Sequence, residues 1–370
     1  MPGSCPGRGG TFVSAPAPQP FEAVRPACAA VSWKGRWPAA GFQAVLLGFA
    51  VNAFVYEAHD VKHHTPSSPF PASVVSWLGA AVLLASTAVF SHDEQGGAIT
   101  STPLDQGLYL LQGKGGNLAL STGDDGAFLI DDDYRELSGE LQATLDELTS
   151  TPLRFVVNTH WHFDHTGGNE ALGADGATIV AHENVRKRLS SDQFMKAFDK
   201  TIPATDAVGL PVVTFTEGVT LHLNGHTIQV KHLPPAHTDG DAFVYFKEVD
   251  VLHTGDIFFN GFYPFIDSGS GGHIAGMIAA ADRLLALATD DTRIIPGHGP
   301  LGKRADLQAY RDMLATVHER LRKMLEAGKT RAQIIAAKPT ADLDETWGDG
   351  FLKPDQWVGI VVDGMQANDY

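Results

Sequence analysis

The chain places four potential metal ligands within six residues, at His160-Trp161-His162-Phe163-Asp164-His165. Three more follow in tight local settings: His237 in Pro-Pro-Ala-His-Thr-Asp-Gly, Asp256 in His-Thr-Gly-Asp, and His298 in Pro-Gly-His-Gly-Pro. Imidazole and carboxylate are the usual ligands of a catalytic zinc, and a site for two metals needs about seven of them. A lone His-x-His is common and carries little meaning. The ordered series is a specific signal for a metal site.

The chain has 16 histidines, and most read as ordinary. His59, His63, His64, His92, His222, His226 and His318 have no ligand context. His182 follows a predicted strand but also lacks one. His253, two residues before Gly255-Asp256, is a candidate to orient that carboxylate, because ligating groups need fixed partners.

Elements must position these residues. Short apolar runs at 108–111, 117–121 and 127–130, separated by Gly-rich turns, predict strands. Leu137, Leu141, Leu145 and Leu148 recur at helical spacing within 134–148. A strand at 154–158 leads directly into the ligand cluster. Extended backbone there points His160 and His162 the same way. Further strands are predicted at 177–181, 219–223, 226–232, 242–247, 249–253 and 292–295, and helices from 183, over 274–288 and over 305–327. Periodicity alone gives a mixed α and β protein.

Composition narrows the partners. The 370-residue chain carries a formal net charge of −16. Residues 1–91 hold five of the 27 Lys/Arg and three of the 43 acids, so the remainder sets 22 basic groups against 40 acidic ones. Such a region repels phosphate backbones, which argues against a nucleic-acid partner and for a small-molecule substrate. Cys5 and Cys28 are the only cysteines, so no thiolate is available near the ligands.

Residues 1–95 read as a leader. Ten of the 21 prolines fall between Pro2 and Pro71. Two uncharged apolar runs, 37–56 and 71–91, lie near the lower length limit for a membrane span. The second ends in Ala85-Ser86-Thr87-Ala88 and then turns polar, as a signal peptide does before cleavage. A signal peptide predicts a periplasmic or secreted protein. A retained anchor, giving membrane association through 37–56 or 71–91, and a buried helical extension are the alternatives. The expected organisation is a leader over 1–95, a catalytic domain over 96–330, and a C-terminal extension over 331–370 packing on it.

The ligand series resembles the metallo-β-lactamase superfamily, a group of mostly zinc-dependent hydrolases. That resemblance implies a four-layer αββα sandwich within the α/β class. It implies two Zn2+ per chain: His160, His162 and His237 in a first site, Asp164, His165 and His298 in a second, and Asp256 bridging them. A hydroxide between the metals would be the nucleophile. Asp164 would orient it and pass a proton to the leaving group. The spacings of 19 residues from His237 to Asp256 and 42 from Asp256 to His298 are similar to the β-lactamase subclass with Cys at the bridging position. Asp there is instead similar to thioesterases of the glyoxalase II type and to lactonases. The lysine that holds the drug carboxylate in that subclass is replaced by Phe259, in a loop, 258–265, rich in aromatic residues. This predicts a pocket for an apolar or uncharged acyl group, and weak or promiscuous β-lactamase activity at most.

The leading expectation is a dinuclear zinc hydrolase of an ester, lactone, thioester or amide. An iron-dependent redox enzyme of the same fold is the alternative, although His162 stands where the flavodi-iron branch typically carries Glu. A non-catalytic binding protein is a third reading, and such proteins usually lose ligands, whereas this series is complete.

Overall fold

The computed structural model describes residues 99–367. The sequence expectations for residues 1–95, including both apolar runs and the signal peptide, lie outside the described residues. Among the described residues, no helix is long and apolar enough to cross a membrane.

Strands β1 (Thr100–Asp105), β2 (Leu108–Gln112), β3 (Asn117–Ser121), β4 (Ala127–Ile130), β5 (Leu153–Val157) and β6 (Thr178–His182) form one sheet in that order. β7 (Gln193–Met195) and β8 (Lys200–Ile202) make a separate hairpin, and β9 (Val213–Phe215) completes the first sheet beside β6. The second sheet runs β10 (Gly218–Leu223), β11 (His226–His232), β12 (Ala242–Phe246), β13 (Val251–His253), β14 (Arg293–Ile295) and β15 (Gly302–Lys303). β4, β5, β6 and β9 pair in parallel, as do β13 and β14.

Period-two alternation builds the layers. Phe128 and Ile130 of β4 point inward with Val157 and Val180, facing Ile228, Val230, Val244 and Val251 of the second sheet. Their neighbours Leu129, Val156 and Ile179 point outward against Leu141 and Leu145 of helix α1 (Ser138–Leu148). After it in the chain come α2 (Phe163–Thr166), α3 (Asn169–Ala174) and α4 (Glu183–Leu189). Phe243, Leu252 and Ile294, on the outer face of the second sheet, meet α5 (Ile274–Leu287) and α6 (Arg304–Glu326). The result is helix, sheet, sheet, helix: the four-layer αββα sandwich. The apolar face of α6 shows why it seals that side: Leu307, Tyr310, Leu314, Val317 and Leu321 recur every three or four residues and are all buried.

Most predicted elements are present within a residue or two. β1, β9, β15 and the β7–β8 hairpin went unpredicted. β1 carries Pro103 and exposed polar residues, β7, β8 and β9 are only three residues long, and β15 has two. The helix expected from Tyr134 begins as a 3-10 turn and becomes α-helical at Ser138.

The tail adds α7 (Arg331–Ala336), α8 (Asp344–Trp347) and α9 (Pro354–Ala367). Trp347, Leu352, Trp357, Val358 and Val362 lie in the same buried cluster as α5 and α6. Trp357 stacks on Tyr263 with ring centroids 4.1 Å apart. Tyr263 N donates to Trp347 O at 2.9 Å, and its hydroxyl donates to Asp344 at 2.9 Å. The tail therefore grips the 258–265 loop directly.

Candidate metal centre

All seven predicted ligands converge at one end of the sandwich, where loops leave the strands. His160 and His162 follow β5, and α2 carries Asp164 and His165. His237 lies between β11 and β12, Asp256 follows β13, and His298 follows β14. Placing reactive groups beyond the carboxyl ends of parallel strands is a general habit of α/β sheets.

The donor atoms fall into two groups, His160, His162, His237 and Asp256, and Asp164, His165 and His298. In the first, His162 Nδ1 lies 2.9 Å from His237 Nε2, and Asp256 Oδ2 lies 3.3 Å from His237 Nε2 and 3.7 Å from His160 Nε2. In the second, His298 Nε2 lies 3.3 Å from His165 Nε2 and 3.2 Å from Asp164 Oδ2. Asp256 also faces this group, with Oδ1 3.0 Å from His165 Nε2. Donors around a tetrahedral zinc lie about 3.3 Å apart, given zinc–nitrogen bonds of about 2.0–2.1 Å. These spacings match that edge length. His160 Nε2 is buried without a hydrogen-bond partner, which is costly unless a cation satisfies it. The residues fit two metals.

Four of the five rings are held on their far side, which fixes the nitrogen that faces inward. His165 Nδ1 donates to Asp131 Oδ2 at 2.8 Å, and His237 Nδ1 to Phe265 O at 2.8 Å. Thr159 Oγ1 gives its hydrogen to Asp131 at 2.8 Å and accepts from His160 Nδ1 at 3.0 Å. His162 is turned over: its Nε2 donates to Asp267 at 3.1 Å, leaving Nδ1 as the ligand atom. Asp241 fixes the His237 loop by accepting from His237 N at 2.7 Å and Thr238 Oγ1 at 2.6 Å. His253 does not touch a ligand ring. It accepts from Gly255 N at 3.2 Å and reaches Asn117 O at 2.9 Å, tying the Asp256 turn to β3.

Asp131, Asp241 and Asp267 were missed in the sequence. Asp131 had one signal: it opens an Asp-Asp-Asp run at the end of a buried strand, and all three side chains are buried. It adopts φ 57°, in the left-handed region, which turns its carboxylate back toward Thr159 and His165.

Electrostatics differ between the two groups. Burial pushes His237 down to about 4 and His160 well below its usual value, so both are neutral near pH 7, the form a metal needs. Burial also opposes protonation of His298, but the Asp256 and Asp164 carboxylates outweigh it and raise His298 to about 9. His165 is raised for the same reason, by Asp256, Asp164 and Asp131. The second group therefore holds protons that a metal must displace.

A cavity of about 450 Å3 opens onto both groups. Phe163, Met195, Phe198, Phe265 and Phe351 form an apolar wall beside Asp164 and His298. Phe259 stacks on His298 with centroids 5.2 Å apart and forms the floor. Arg188 of α4 braces the surroundings. It binds Asp239, next to the His237 turn, with two contacts of 2.7 Å, and Gln193 at the start of the hairpin at 3.3 Å.

A solved structure of a double mutant of the sec-alkyl sulfatase PisA1 is similar in fold, with TM-score 0.53 and 21% identity over 73% of this chain and 50% of that one. A hydroxyacylglutathione hydrolase of Polaromonas sp. is 32% identical over 144 residues, 39% of this chain and 47% of that protein. An acyl-coenzyme A thioesterase, MBLAC2 of Homo sapiens, is 25% identical over 184 residues, 45% of this chain and 63% of that protein. The chain thus spans about half to two thirds of the length of these relatives. The model of the metallo-beta-lactamase superfamily matches residues 109–298, just over half of the chain and the segment that holds all seven candidate ligands. On that match and this fold, the chain belongs to the metallo-β-lactamase superfamily.

Proposed function

We propose that the chain is a dinuclear zinc-dependent hydrolase of small acyl compounds, with thioesters and esters first among them. The carrying observation is the pair of donor groups at tetrahedral edge spacing that share Asp256. The names of the two relatives, a hydroxyacylglutathione hydrolase and an acyl-coenzyme A thioesterase, favour thioesters.

When bound, zinc supplies Lewis acidity and brings the pKa of water toward neutrality. The chain's own residues do the rest. His160, His162 and His237 would hold one metal, and Asp164, His165 and His298 the other, with Asp256 facing both groups. The Asp164 carboxylate reaches the cavity wall. Burial would raise it, but His165 and His298 beside it keep it well below the usual carboxylate range. It is therefore an acceptor that orients an attacking water and relays its proton to the leaving group. The aromatic wall excludes bulk water and takes the acyl chain.

The test is a hydrolysis panel on purified, zinc-reloaded protein: S-lactoylglutathione, a homoserine lactone, an aryl ester and a chromogenic cephalosporin. Two zincs per chain with thioester or ester turnover are expected, and His162→Ala should lose at least one zinc and nearly all rate. Full activity of His162→Ala, or of chelator-stripped protein, overturns the reading.

A further inference from the structure

The cavity is not purely apolar. Lys114 and Lys200 line it, and neither ammonium has an ion pair or side-chain hydrogen bond among the described residues. The two cations reach the cavity from separate elements, the β2–β3 turn and β8.

Each is anchored to the metal-binding segment. Lys200 Nζ sits 3.9 Å over the ring of Phe163, between His162 and Asp164 in the chain. Lys114 is the only residue with a side chain in Gly113-Lys114-Gly115-Gly116. Those glycines are pressed onto the site. A Cβ on Gly115 would meet Asp133 Oδ1 at 2.5 Å and Asp164 O at 2.6 Å, and one on Gly116 would meet the His165 ring at 2.0 Å. Gly115 N donates to Asp133 at 2.8 Å, and Gly116 N to Asp164 O at 3.0 Å. The turn can approach so closely only because it lacks side chains there. Its one side chain then starts from a root fixed against the second ligand group.

We propose that Lys114 and Lys200 form an anion subsite, so that the substrate is an acyl ester or thioester that also bears a carboxylate or phosphate. The apolar part lies on Phe163, Phe198 and Phe351, and the anion sits at the cavity mouth between the two ammonium groups. This differs from the sequence expectation of an apolar or uncharged acyl group, and it rests on the hydrolase reading of the same site.

Zinc-loaded full-length chain is given para-nitrophenyl butyrate and para-nitrophenyl hemiglutarate, which differ by a terminal carboxylate. A phosphonate-ended ester distinguishes phosphate from carboxylate preference. The native protein should favour the anionic esters in kcat/KM. Lys114→Met with Lys200→Met should cut the anionic substrates roughly ten- to hundredfold more than the neutral one, as expected for lost charge-assisted hydrogen bonds. Calorimetry with the products provides a readout independent of turnover: glutarate should bind tighter than butyrate, and the double variant should lose that margin. If no ester is hydrolysed but the glutarate margin exists and disappears in the variant, the hydrolase reading fails and the subsite stands. No anion preference in the native protein, or the same preference in the double variant, overturns the subsite.

Discussion

Asp131 offers the sharpest test of how the second ligand group is built. Its Oδ2 accepts from both His165 Nδ1 and Thr159 Oγ1 at 2.8 Å, while Oδ1 accepts from Thr159 N at 2.7 Å. Asp131→Asn keeps the shape, and Asn tolerates the φ of 57° that most residues resist. The amide oxygen will stay on Thr159 N, which puts the NH2 group against His165 Nδ1. Two donors cannot face each other, so the ring must move its proton to Nε2, the atom that faces His298 and Asp256. A ligand in the wrong tautomer, together with the lost negative charge, should weaken the second metal by about ten- to hundredfold, or about 1.4–2.7 kcal/mol. His160 is touched only through Thr159, so the first metal should change by less than about threefold. Zinc titration against a competing chelator resolves the two steps, and circular dichroism confirms folding. Two unchanged zinc affinities would refute the idea that Asp131 sets the His165 tautomer. Equal weakening of both metals would refute the separation into two groups.

Asp256→Asn removes one of two oxygens that face both groups, and should leave about one zinc by elemental analysis with most of the rate gone; two tightly held zincs in this variant would show that Asp256 is not a ligand. The His298 value of about 9 gives a pH dependence of metal uptake. From pH 7 toward 9 the second zinc should bind roughly tenfold tighter per unit for each proton displaced, while the first, with His237 near 4, stays flat; chelator competition across that range measures it. In metal-free protein the sign is the reverse. The His298 pKa lies above its unfolded value, so the stability it adds is complete below about pH 6.5 and fades as pH rises through 9; thermal melts in chelator should fall accordingly, and a melting temperature that rises over this range would contradict the shift. The small-residue end of the 71–91 run predicts a mature N-terminus near Ser91 in exported protein, which N-terminal sequencing checks; intact residues 1–90 on cytosolic protein would refute it.

The seven candidate ligands were legible as a group because they sit in short, distinctive settings just beyond apolar strands. The layers were legible where strands alternate cleanly, as at β4 and β11. What escaped was set by long-range geometry. Asp267 and Asp241 matter only because the chain folds their carboxylates behind His162 and the His237 turn, and nothing in their neighbours' types announces that. Lys114 and Lys200 are ordinary surface cations until the β2–β3 turn and the hairpin converge on one cavity. The expectation of an apolar or uncharged acyl group came from Phe259 and the aromatic loop around it, 258–265. Phe259 does face the cavity, but as a floor stacked on His298, while the charges come from elsewhere.

The grip of the tail on the 258–265 loop carries the cavity beyond the segment that the superfamily model matches. That match ends at His298, and every candidate ligand lies within it. Yet Tyr263 is clamped by Trp347, Asp344 and Trp357, and Phe262 packs edge-on against Phe351, a cavity-wall residue. The shape that a substrate meets is thus partly written in residues beyond 340. Drift in α8 or α9 can retune the acyl wall without disturbing a single ligand. Two chains of this kind with the same ligand residues can therefore diverge in substrate through changes in their last 30 or so residues, and a comparison confined to the shared segment would miss it.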